Sequence, residues 1–404
     1  MAKEKASSES VTEQGKLSFL HQIVKVLYAP HKAFKEIMQN PKLKGPILIL
    51  LLFTAVYTAY AYTVRSKTYD EQILPSFTKG DEWTENSTLW TWTSNAQVAE
   101  SDDHIGGGYC GNWSIQFSAI NETQVYMQLA NIGPVNCSGA EGYKNMSFRV
   151  KLASPSVTEL ENASVYLFSN QADFFYYNLT QQLSQFNSTV WNNLTIALGP
   201  KSDWTNSTVN ADWSSITSLS FEFTLPEKTN MTIHLDGLFF RGVFILALDN
   251  LTANILPISL QALTQFVTRW IIIAALLFIM IRGFGTKTAW QPILVLVGFV
   301  LITMLIEGMI DTAAFSTLPR IYYPFELASG IQGEAQIAYN TLATETWLVY
   351  QIFRFTQIAM IVWTVLLCSV ALRTSIGLSL TKSALISTVA FFVSMLAESF
   401  ILGY

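Results

Sequence analysis

The chain has 404 residues, of which 50% are hydrophobic and only 13% are charged, with a formal net charge of −5. A protein of this length with so few charges is not expected to be an ordinary soluble domain, so the composition indicates several membrane-buried segments. Charge is also uneven, at +4 over residues 1–45 and −10 over residues 64–262. These values predict a basic tail, an acidic polar domain and a largely apolar block over residues 263–404.

The tail, residues 1–45, contains two amphipathic stretches. The first places five apolar residues on one helical face: Leu17, Leu20, Ile23, Val24 and Leu27. The second begins at Pro30, a favourable first-turn residue, and groups Ala33, Phe34, Ile37 and Met38. We expect both helices to lie on a membrane surface, with lysines toward anionic lipid headgroups. Docking of a cytoplasmic partner is the alternative.

Five apolar runs are long enough to cross a membrane as helices. They cover residues 46–64, 266–281, 293–310, 347–372 and 383–402. The first run lies too far from the start for a secretory signal, so it predicts a retained anchor.

The polar segment between the first two spans, residues 65–262, is dense in N-glycosylation sequons. The twelve acceptor asparagines are Asn86, Asn112, Asn121, Asn136, Asn145, Asn162, Asn178, Asn187, Asn193, Asn206, Asn230 and Asn250. Because N-glycans are added outside the cytoplasm, this segment is predicted to be extracellular. The positive-inside rule places the lysine-rich tail and the basic turns at 282–287 and 373–382 in the cytoplasm, which agrees with this orientation. We therefore predict an integral protein of the plasma membrane with a cytoplasmic N-terminus and an extracellular C-terminus.

The chain has three cysteines. Cys110 and Cys137 lie in the predicted extracellular segment, where oxidising conditions favour a disulfide between them. Cys368 lies in the fourth predicted span and is expected to be a small apolar packing residue.

Short alternating segments in the extracellular region are typical of an all-β sandwich. Examples are WSIQF at 113–117, QVYMQL at 124–129 and SFRVKL at 147–152. Three later runs, WNNLTIALGP (191–200), WSSITSLSFEF (213–223) and NMTIHLDGLFF (230–240), resemble the closing strands of galactose-binding-like jelly rolls, the fold of many carbohydrate-binding modules. This resemblance implies a jelly roll over roughly residues 80–245.

The same resemblance implies a structural calcium ion, since such modules often ligate one through a carboxylate of the last strand. Asp236 matches that position, with Asp102 and Asp103 as candidate partners. A simple turn aspartate is the alternative. Sugar binding would need aromatic platforms beside polar groups, although aromatic residues at strand spacing also form cores. The candidates are Trp83, Trp90, Trp92, Trp204, Trp213, Tyr176 and Tyr177.

The tail and the apolar block resemble the Yip family of five-span membrane proteins. The resemblance rests on LYAPHKAFKEIMQNP (27–41), GFGTKTAWQPILVLVG (283–298) and IGLSLTKSAL (376–385). It implies a five-helix bundle and, from the eukaryotic members, a trafficking role with a GTPase partner. This chain departs from the family because a large sandwich is inserted between its first and second spans. Dense N-glycosylation is similar to that of archaeal surface proteins, so the combination indicates an archaeal protein.

Five ionisable residues lie within the predicted spans: Arg269, Glu307, Asp311, Arg354 and Glu398. Intramembrane charges are functional candidates, and the two arginines are the natural partners of the acids. One interpretation is a salt-bridged clamp near the membrane interface, and the other is a transport path.

The chain lacks the common metalloprotease, nucleotide-binding and serine-hydrolase motifs, and its four histidines are divided between opposite sides of the membrane. We therefore predict a non-enzymatic scaffold or binding protein. Its expected partners are membrane lipids, a membrane or envelope protein, and glycans, with no nucleic acid. It would carry N-glycans and would require no cofactor. The calcium ion is implied only by the jelly-roll resemblance and would be structural. The alternatives are a transporter or its accessory subunit, and a trafficking or membrane-shaping factor that binds a GTPase.

Overall fold

The computed structural model describes residues 20–93, 95–154, 160–187, 190–248, 251–331 and 333–402. Leu17 of the predicted tail helix and the sequon residue Asn250 lie outside these ranges. The chain divides into two compact units. The helical unit comprises residues 1–68, 246–321 and 346–404, and the sandwich unit comprises residues 69–245 and 322–345.

The helical unit is built from long apolar helices. Residues 20–28 are helical. The helices that follow in the chain are α1 (Pro30–Gln39), α2 (Lys44–Arg65), α3 (Glu82–Glu85), α4 (Thr180–Leu183), α5 (Leu251–Gly283), α6 (Trp290–Val300), α7 (Ile302–Ser316), α8 (Glu326–Ser329), α9 (Glu334–Ile376) and α10 (Leu380–Leu402). Among them, α3, α4 and α8 are single turns in the sandwich unit.

Within the described residues, five helical segments are long and apolar enough to cross a membrane. These segments are Lys44–Arg65, Ile255–Gly283, Trp290–Ser316, Glu334–Ile376 and Leu380–Ile401. Each contains one of the five predicted apolar runs, apart from the last residue of the final run. The third segment consists of α6 and α7, which meet at Leu301.

The tail helices contribute apolar side chains to the core of the helical unit. Ile23, Val26, Ala33, Phe34 and Ile37 all belong to one buried cluster with residues of α2, α5, α6 and α7. An ion pair between Lys25 Nζ and Glu36 Oε1, at 2.5 Å, joins the two tail helices. The second predicted apolar face therefore contacts protein, which corrects the expectation that it lies on a membrane surface. In the first helix Leu20 and Val24 remain exposed, so their contact with a membrane surface stays a prediction.

The sandwich unit is an antiparallel β-structure. Its strands are β1 (Thr68–Leu74), β2 (Trp90–Trp92), β3 (Ala96–Ser101), β4 (Ser114–Leu129), β5 (Asn145–Ser154), β6 (Asn162–Phe168), β7 (Phe174–Asn178), β8 (Asn192–Ala197), β9 (Thr205–Asn206), β10 (Ser218–Leu246) and β11 (Ile321–Tyr323).

Strands β4 and β10 run through both halves of the sandwich. The first part of β10 pairs with β6 and with the end of β4, while its later part pairs with β5 and the start of β4. The register shifts between Thr224 and Met231, which separates the two parts. One buried apolar cluster contains residues from both halves, including Phe117, Phe148 and Phe221. This packing of two apolar sheet faces is the β-sandwich that the alternating pattern predicts.

Residues 322–345, which follow the third apolar segment, belong to the sandwich unit. Arg241 of β10 explains part of this association. Its Nε and Nη2 donate to the two carboxylate oxygens of Glu71 at 3.0 and 2.8 Å, and Nη2 also contacts Glu326 at 2.7 Å. Glu71 further accepts the backbone N–H of Phe325 at 2.6 Å. The sequence pattern predicts these residues only as part of the block 263–404, between the apolar runs 293–310 and 347–372.

Candidate functional site

One face of the sandwich carries a group of aromatic side chains that the core does not bury. Strand alternation places successive residues on opposite faces. In β6 and β7, Val165, Leu167 and Phe175 point into the core and are fully buried. Their neighbours on the opposite face are half-buried, and we call this group the aromatic face: Tyr126, Tyr166, Phe168, Phe174 and Tyr176.

Strand register brings these rings together. Tyr166 lies opposite Tyr176, and Phe168 lies opposite Phe174, in the β6–β7 pair. The Tyr166 ring centroid is 5.3 Å from that of Tyr176, 5.6 Å from that of Phe174 and 6.4 Å from that of Phe168. These separations match favourable aromatic pairs, so the rings form one continuous apolar surface.

Polar groups from β4 and β10 border the aromatic face. Glu222 lies opposite Ser164 on one side and Tyr126 on the other. The Tyr166 hydroxyl donates to Glu222 Oε2 at 2.5 Å, and Gln124 Nε2 donates to the other carboxylate oxygen. Burial and this hydrogen bond raise the pKa of Tyr166, so the phenol remains protonated at neutral pH.

The opposite border contains two sequon asparagines. Asn178 Nδ2 donates to Asn162 Oδ1 at 3.0 Å and to the Tyr176 hydroxyl at 3.3 Å. A glycan attached to Asn178 would therefore begin beside the Tyr176 ring. Planar amides and a carboxylate next to exposed rings are the side-chain set that recognises sugars, because the rings contact C–H faces and the polar groups bind hydroxyls.

Most aromatic residues considered from sequence as sugar platforms lie elsewhere. Trp83, Trp90, Trp204 and Trp213 are buried members of the core cluster. Trp92 is exposed, while Tyr177 packs on Trp204 with ring centroids 5.3 Å apart. Of those candidates, only Tyr176 belongs to the aromatic face. Sequence reasoning missed Tyr166, Phe168 and Phe174, although their spacing of two along β6 and β7 was the available signal.

Asp236 lies in a buried polar pocket of the sandwich unit, together with Asp81, which sequence analysis did not single out. The backbone N–H of Gly237 donates to both carboxyls, since it lies 2.7 Å from Asp81 Oδ2 and 2.7 Å from Asp236 Oδ1. Asp236 accepts the N–H of Ile105 at 2.8 Å and that of Gly237 at 2.7 Å. Burial raises the pKa of both carboxyls, and the charge of Asp236 raises that of Asp81 further. The pair therefore favours sharing one proton.

This arrangement does not fit a calcium ion, which takes six to eight oxygen ligands. Backbone N–H groups already bind both oxygens of Asp236, and the Arg149 guanidinium lies beside Gly237. Among the described residues, no group of three or more His, Cys, Asp or Glu side chains could hold a metal ion. Asp103 instead pairs with Lys151 at 2.6 Å, and the Asp102 carbonyl contacts His104 Nδ1 at 2.8 Å.

Cys110 and Cys137 differ from the prediction, whereas Cys368 does not. Cys110 and Cys137 are both free thiols, and they lie in separate apolar clusters. Burial raises the pKa of each to about 12, which keeps both protonated. The structure thus does not support the predicted Cys110–Cys137 disulfide, because packing places the two side chains in different parts of the sandwich unit. Cys368 is buried in the helical core, as a packing residue would be.

The eleven sequon asparagines within the described ranges all reach the surface. Those that are exposed are Asn112, Asn121, Asn136, Asn178, Asn187, Asn193, Asn206 and Asn230, and those that are half-buried are Asn86, Asn145 and Asn162. The eight exposed residues therefore have the surface position that an N-glycan requires. Glycosylation of these residues stays a prediction.

Of the five ionisable residues within the predicted spans, four lie in one group and Arg354 lies apart from it. Arg269 Nε lies 2.7 Å from Glu398 Oε2, and both side chains are largely buried. Glu307, Asp311 and Arg269 line a common cavity. Arg354 lies apart, with its guanidinium 5.8 Å from the centroid of the Tyr350 ring.

No family model matches this chain, and no curated protein matches it either. Solved structures do match. One is a carbohydrate-binding module of the β-sandwich superfamily, at 13% identity and TM-score 0.27, covering 41% of this chain and 61% of that chain. Another is the family 11 carbohydrate-binding module from Clostridium thermocellum in complex with a β-1,3-1,4-mixed-linked tetrasaccharide, at 13% identity and TM-score 0.26, covering 42% and 94%.

An exo-β-agarase matches at 10% identity and TM-score 0.30, covering 40% of this chain and 24% of that enzyme. The chain thus spans less than two thirds of the first of these structures and about a quarter of the agarase. At such identities and TM-scores, function has to be inferred from the side chains that the sandwich presents.

Proposed function

We propose that this protein is a non-enzymatic, membrane-anchored carbohydrate-binding protein, whose sandwich binds glycan chains on the aromatic face. The observation that carries the proposal is the cluster of half-exposed rings around Tyr166, bordered by Glu222 and Gln124. A glycan would place the C–H face of a sugar on the Tyr166 and Tyr176 rings. Its hydroxyl groups would bind the Glu222 carboxylate and the neighbouring amides.

The membrane anchor in this proposal is supported by the five apolar segments. We infer that they cross the plasma membrane as a Yip-like bundle, with the N-terminus in the cytoplasm and the sandwich outside. The dense sequons of the sandwich and the basic tail motivate that orientation. The natural glycan partner would then belong to the cell surface or envelope, which agrees with the archaeal resemblance of the sequence.

Binding of the full-length protein in detergent to an array of neutral and acidic polysaccharides tests the proposal. We expect at least one class to bind, and we expect the double substitution Tyr166→Ala and Tyr176→Ala to lower its affinity at least tenfold, since each stacked ring contributes about 1 kcal/mol or more. Trp113→Ala is the matched control, because Trp113 is an exposed aromatic residue outside the aromatic face. Equal loss in the control, or unchanged affinity in the double variant, would refute the assignment.

A further inference from the structure

The helical unit contains a partly open cavity of about 410 Å³, within the size range of small-molecule sites. Its walls come from α2, α5, α7, α9 and α10, together with Leu301. Aromatic and methionine side chains form much of the lining, including Phe53, Tyr60, Phe353, Met304 and Met360. A cavity of this composition would ordinarily suit an apolar ligand, but its charged residues make it unusual.

Negative charge exceeds positive charge around the cavity. Among the described residues, Arg269 is the one basic residue that lines it, and its guanidinium is already paired with Glu398 at 2.7 Å. Glu307 and Asp311 also line the cavity, one helical turn apart on α7. In the described part of the chain, neither forms an ion pair within 4.0 Å. The charge of Arg269 also acts on Glu307, whereas no basic neighbour among the described residues acts on Asp311. Asp311 therefore faces the cavity without a cation of its own.

An unsatisfied polar atom supplies a second, independent indication of a ligand. Asp311 is only 6% exposed, and its Oδ1 has no hydrogen-bond partner among the described residues. Gln265 Oε1, also in the cavity lining, is similarly buried without a partner there. Leaving such acceptors unpaired in an apolar surrounding is costly, so a donor within the cavity would stabilise them.

Aromatic rings close to these acids would also favour a cation. The Phe53 and Tyr57 ring centroids are 5.8 Å apart, and those of Tyr57 and Tyr60 are 6.1 Å apart, so α2 presents a row of rings to the cavity. Ring faces attract ammonium groups, and the attraction increases when water is excluded. An ammonium group supplies N–H donors for Asp311 Oδ1 and Gln265 Oε1, while an apolar body would fill the space beside the methionines.

We propose that this cavity is a binding site for a small organic ammonium ion with an apolar body, held by Asp311 and Glu307. The site is separate from the aromatic face of the sandwich. Failure of one proposal in its experiment would therefore leave the other unaffected.

Isothermal titration of the full-length protein in detergent, with 2-phenylethylammonium as the probe and neutral 2-phenylethanol as its matched analogue, tests this site. We expect the amine to bind the unmodified protein at least tenfold more tightly than the alcohol, since only the amine carries the charge and the donors. Equal affinity for the two compounds, or absence of amine binding at millimolar concentration, would overturn the proposal. Equal affinity would indicate a cavity that takes any apolar molecule, such as a lipid chain.

Asp311→Asn and Glu307→Gln, two nearly isosteric substitutions, test the residues separately. Each is expected to weaken amine binding about tenfold or more, because charge-assisted hydrogen bonds are lost. Glu345→Gln removes an exposed carboxylate of α9 that does not line the cavity, and it should retain full affinity. If either cavity variant fails to fold, the other variant still provides the test. Unchanged affinity in a folded cavity variant contradicts the assignment.

Discussion

The hydroxyl of Tyr166 donates a 2.5 Å hydrogen bond to Glu222 Oε2, which joins the aromatic cluster of β6 and β7 to a carboxylate of β10. Gln124 of β4 donates to the other oxygen of the same carboxylate. Four strands thus contribute to one surface, and Glu222 is held in place by donors on both sides. A carboxylate oriented in this way is prepared to accept hydrogen bonds from a ligand without first being ordered.

Tyr166→Phe tests the role of this hydrogen bond. The variant keeps the ring but removes the donor, so we expect glycan affinity to fall by about three- to tenfold, less than for removal of the ring. Affinity electrophoresis against the polysaccharide identified on the array would measure the difference between Tyr166→Phe and Tyr166→Ala. Equal losses in the two variants would mean that the ring contributes nothing by stacking.

Asn178→Gln tests competition between an attached glycan and an external one. A glycan on Asn178 would begin beside Tyr176, because the asparagine amide lies 3.3 Å from that hydroxyl. Removing the acceptor in the glycosylated protein is therefore expected to strengthen binding of external glycan several-fold. Asn112→Gln, which removes an exposed sequon outside the strands of the aromatic face, should have no such effect. Weaker binding in Asn178→Gln would instead indicate that this glycan supports the site.

The Asp81–Asp236 pair predicts a pH dependence of stability. The folded-state pKa of each carboxyl is raised above the ordinary value of 3.8, chiefly by burial, so the folded protein binds more protons than the unfolded chain. The contribution of the pair is fully present below pH 3.8 and is lost as the pH rises through the raised pKa values. Each kcal/mol lost should lower the melting temperature by about 2–4 °C.

Thermal unfolding followed by tryptophan fluorescence at pH 4 to 8 would measure this dependence. Asp81→Asn supplies a permanently neutral partner, so the fall in melting temperature across this range should be smaller than in the unmodified protein. Asp203→Asn, a substitution of an exposed aspartate, should leave the fall unchanged. An identical pH profile in Asp81→Asn would contradict proton sharing.

Glu71→Gln tests the buried ion pairs of Arg241. Glu71 is 3% exposed and accepts hydrogen bonds from Arg241, Gly242 and Phe325. Neutralising it leaves a buried guanidinium with one remaining acid, so we expect unfolding free energy to fall by about 3 kcal/mol. Glu82→Gln breaks the exposed pair with Lys79 and should cost less than about 1 kcal/mol. Denaturant titration would compare them, and similar small losses would show that the Arg241 network is not stabilising.

Thiol labelling tests the state of the cysteines. Cys110, Cys137 and Cys368 are free and buried, so none should react rapidly with iodoacetamide in the folded protein. Denaturation without reductant should then expose three reactive thiols, and intact mass would count the added groups. Detection of only one label under those conditions would support the predicted Cys110–Cys137 disulfide.

Local patterns of the sequence were sufficient for the kinds of element present. Apolar runs such as residues 46–64 predicted helices because a membrane-length helix needs about twenty apolar residues. Alternation in WSIQF and QVYMQL predicted strands because side chains of a strand face opposite sides. The sequence also predicted the apolar face that contains Phe34 and Ile37. It did not predict which helices that face packs against.

Pairings between distant residues required the tertiary structure. Asp81 lies 155 positions from Asp236, and nothing local to either residue indicates that they share a proton. The contacts of Tyr166 with Glu222 and of Arg241 with Glu326 were equally hidden in the local sequence. Strand register and the path of the chain between distant elements decide which of these side chains meet.

The sequence by itself therefore determined that this protein combines five apolar helices with a sequon-rich β domain, because both follow from the periodicity of neighbouring residues. Only the tertiary structure decided which aromatic rings remain exposed, that Cys110 and Cys137 lie apart, and that Asp311 faces a cavity. Those outcomes depend on packing between segments far apart in the chain, and the local pattern of either segment does not contain them.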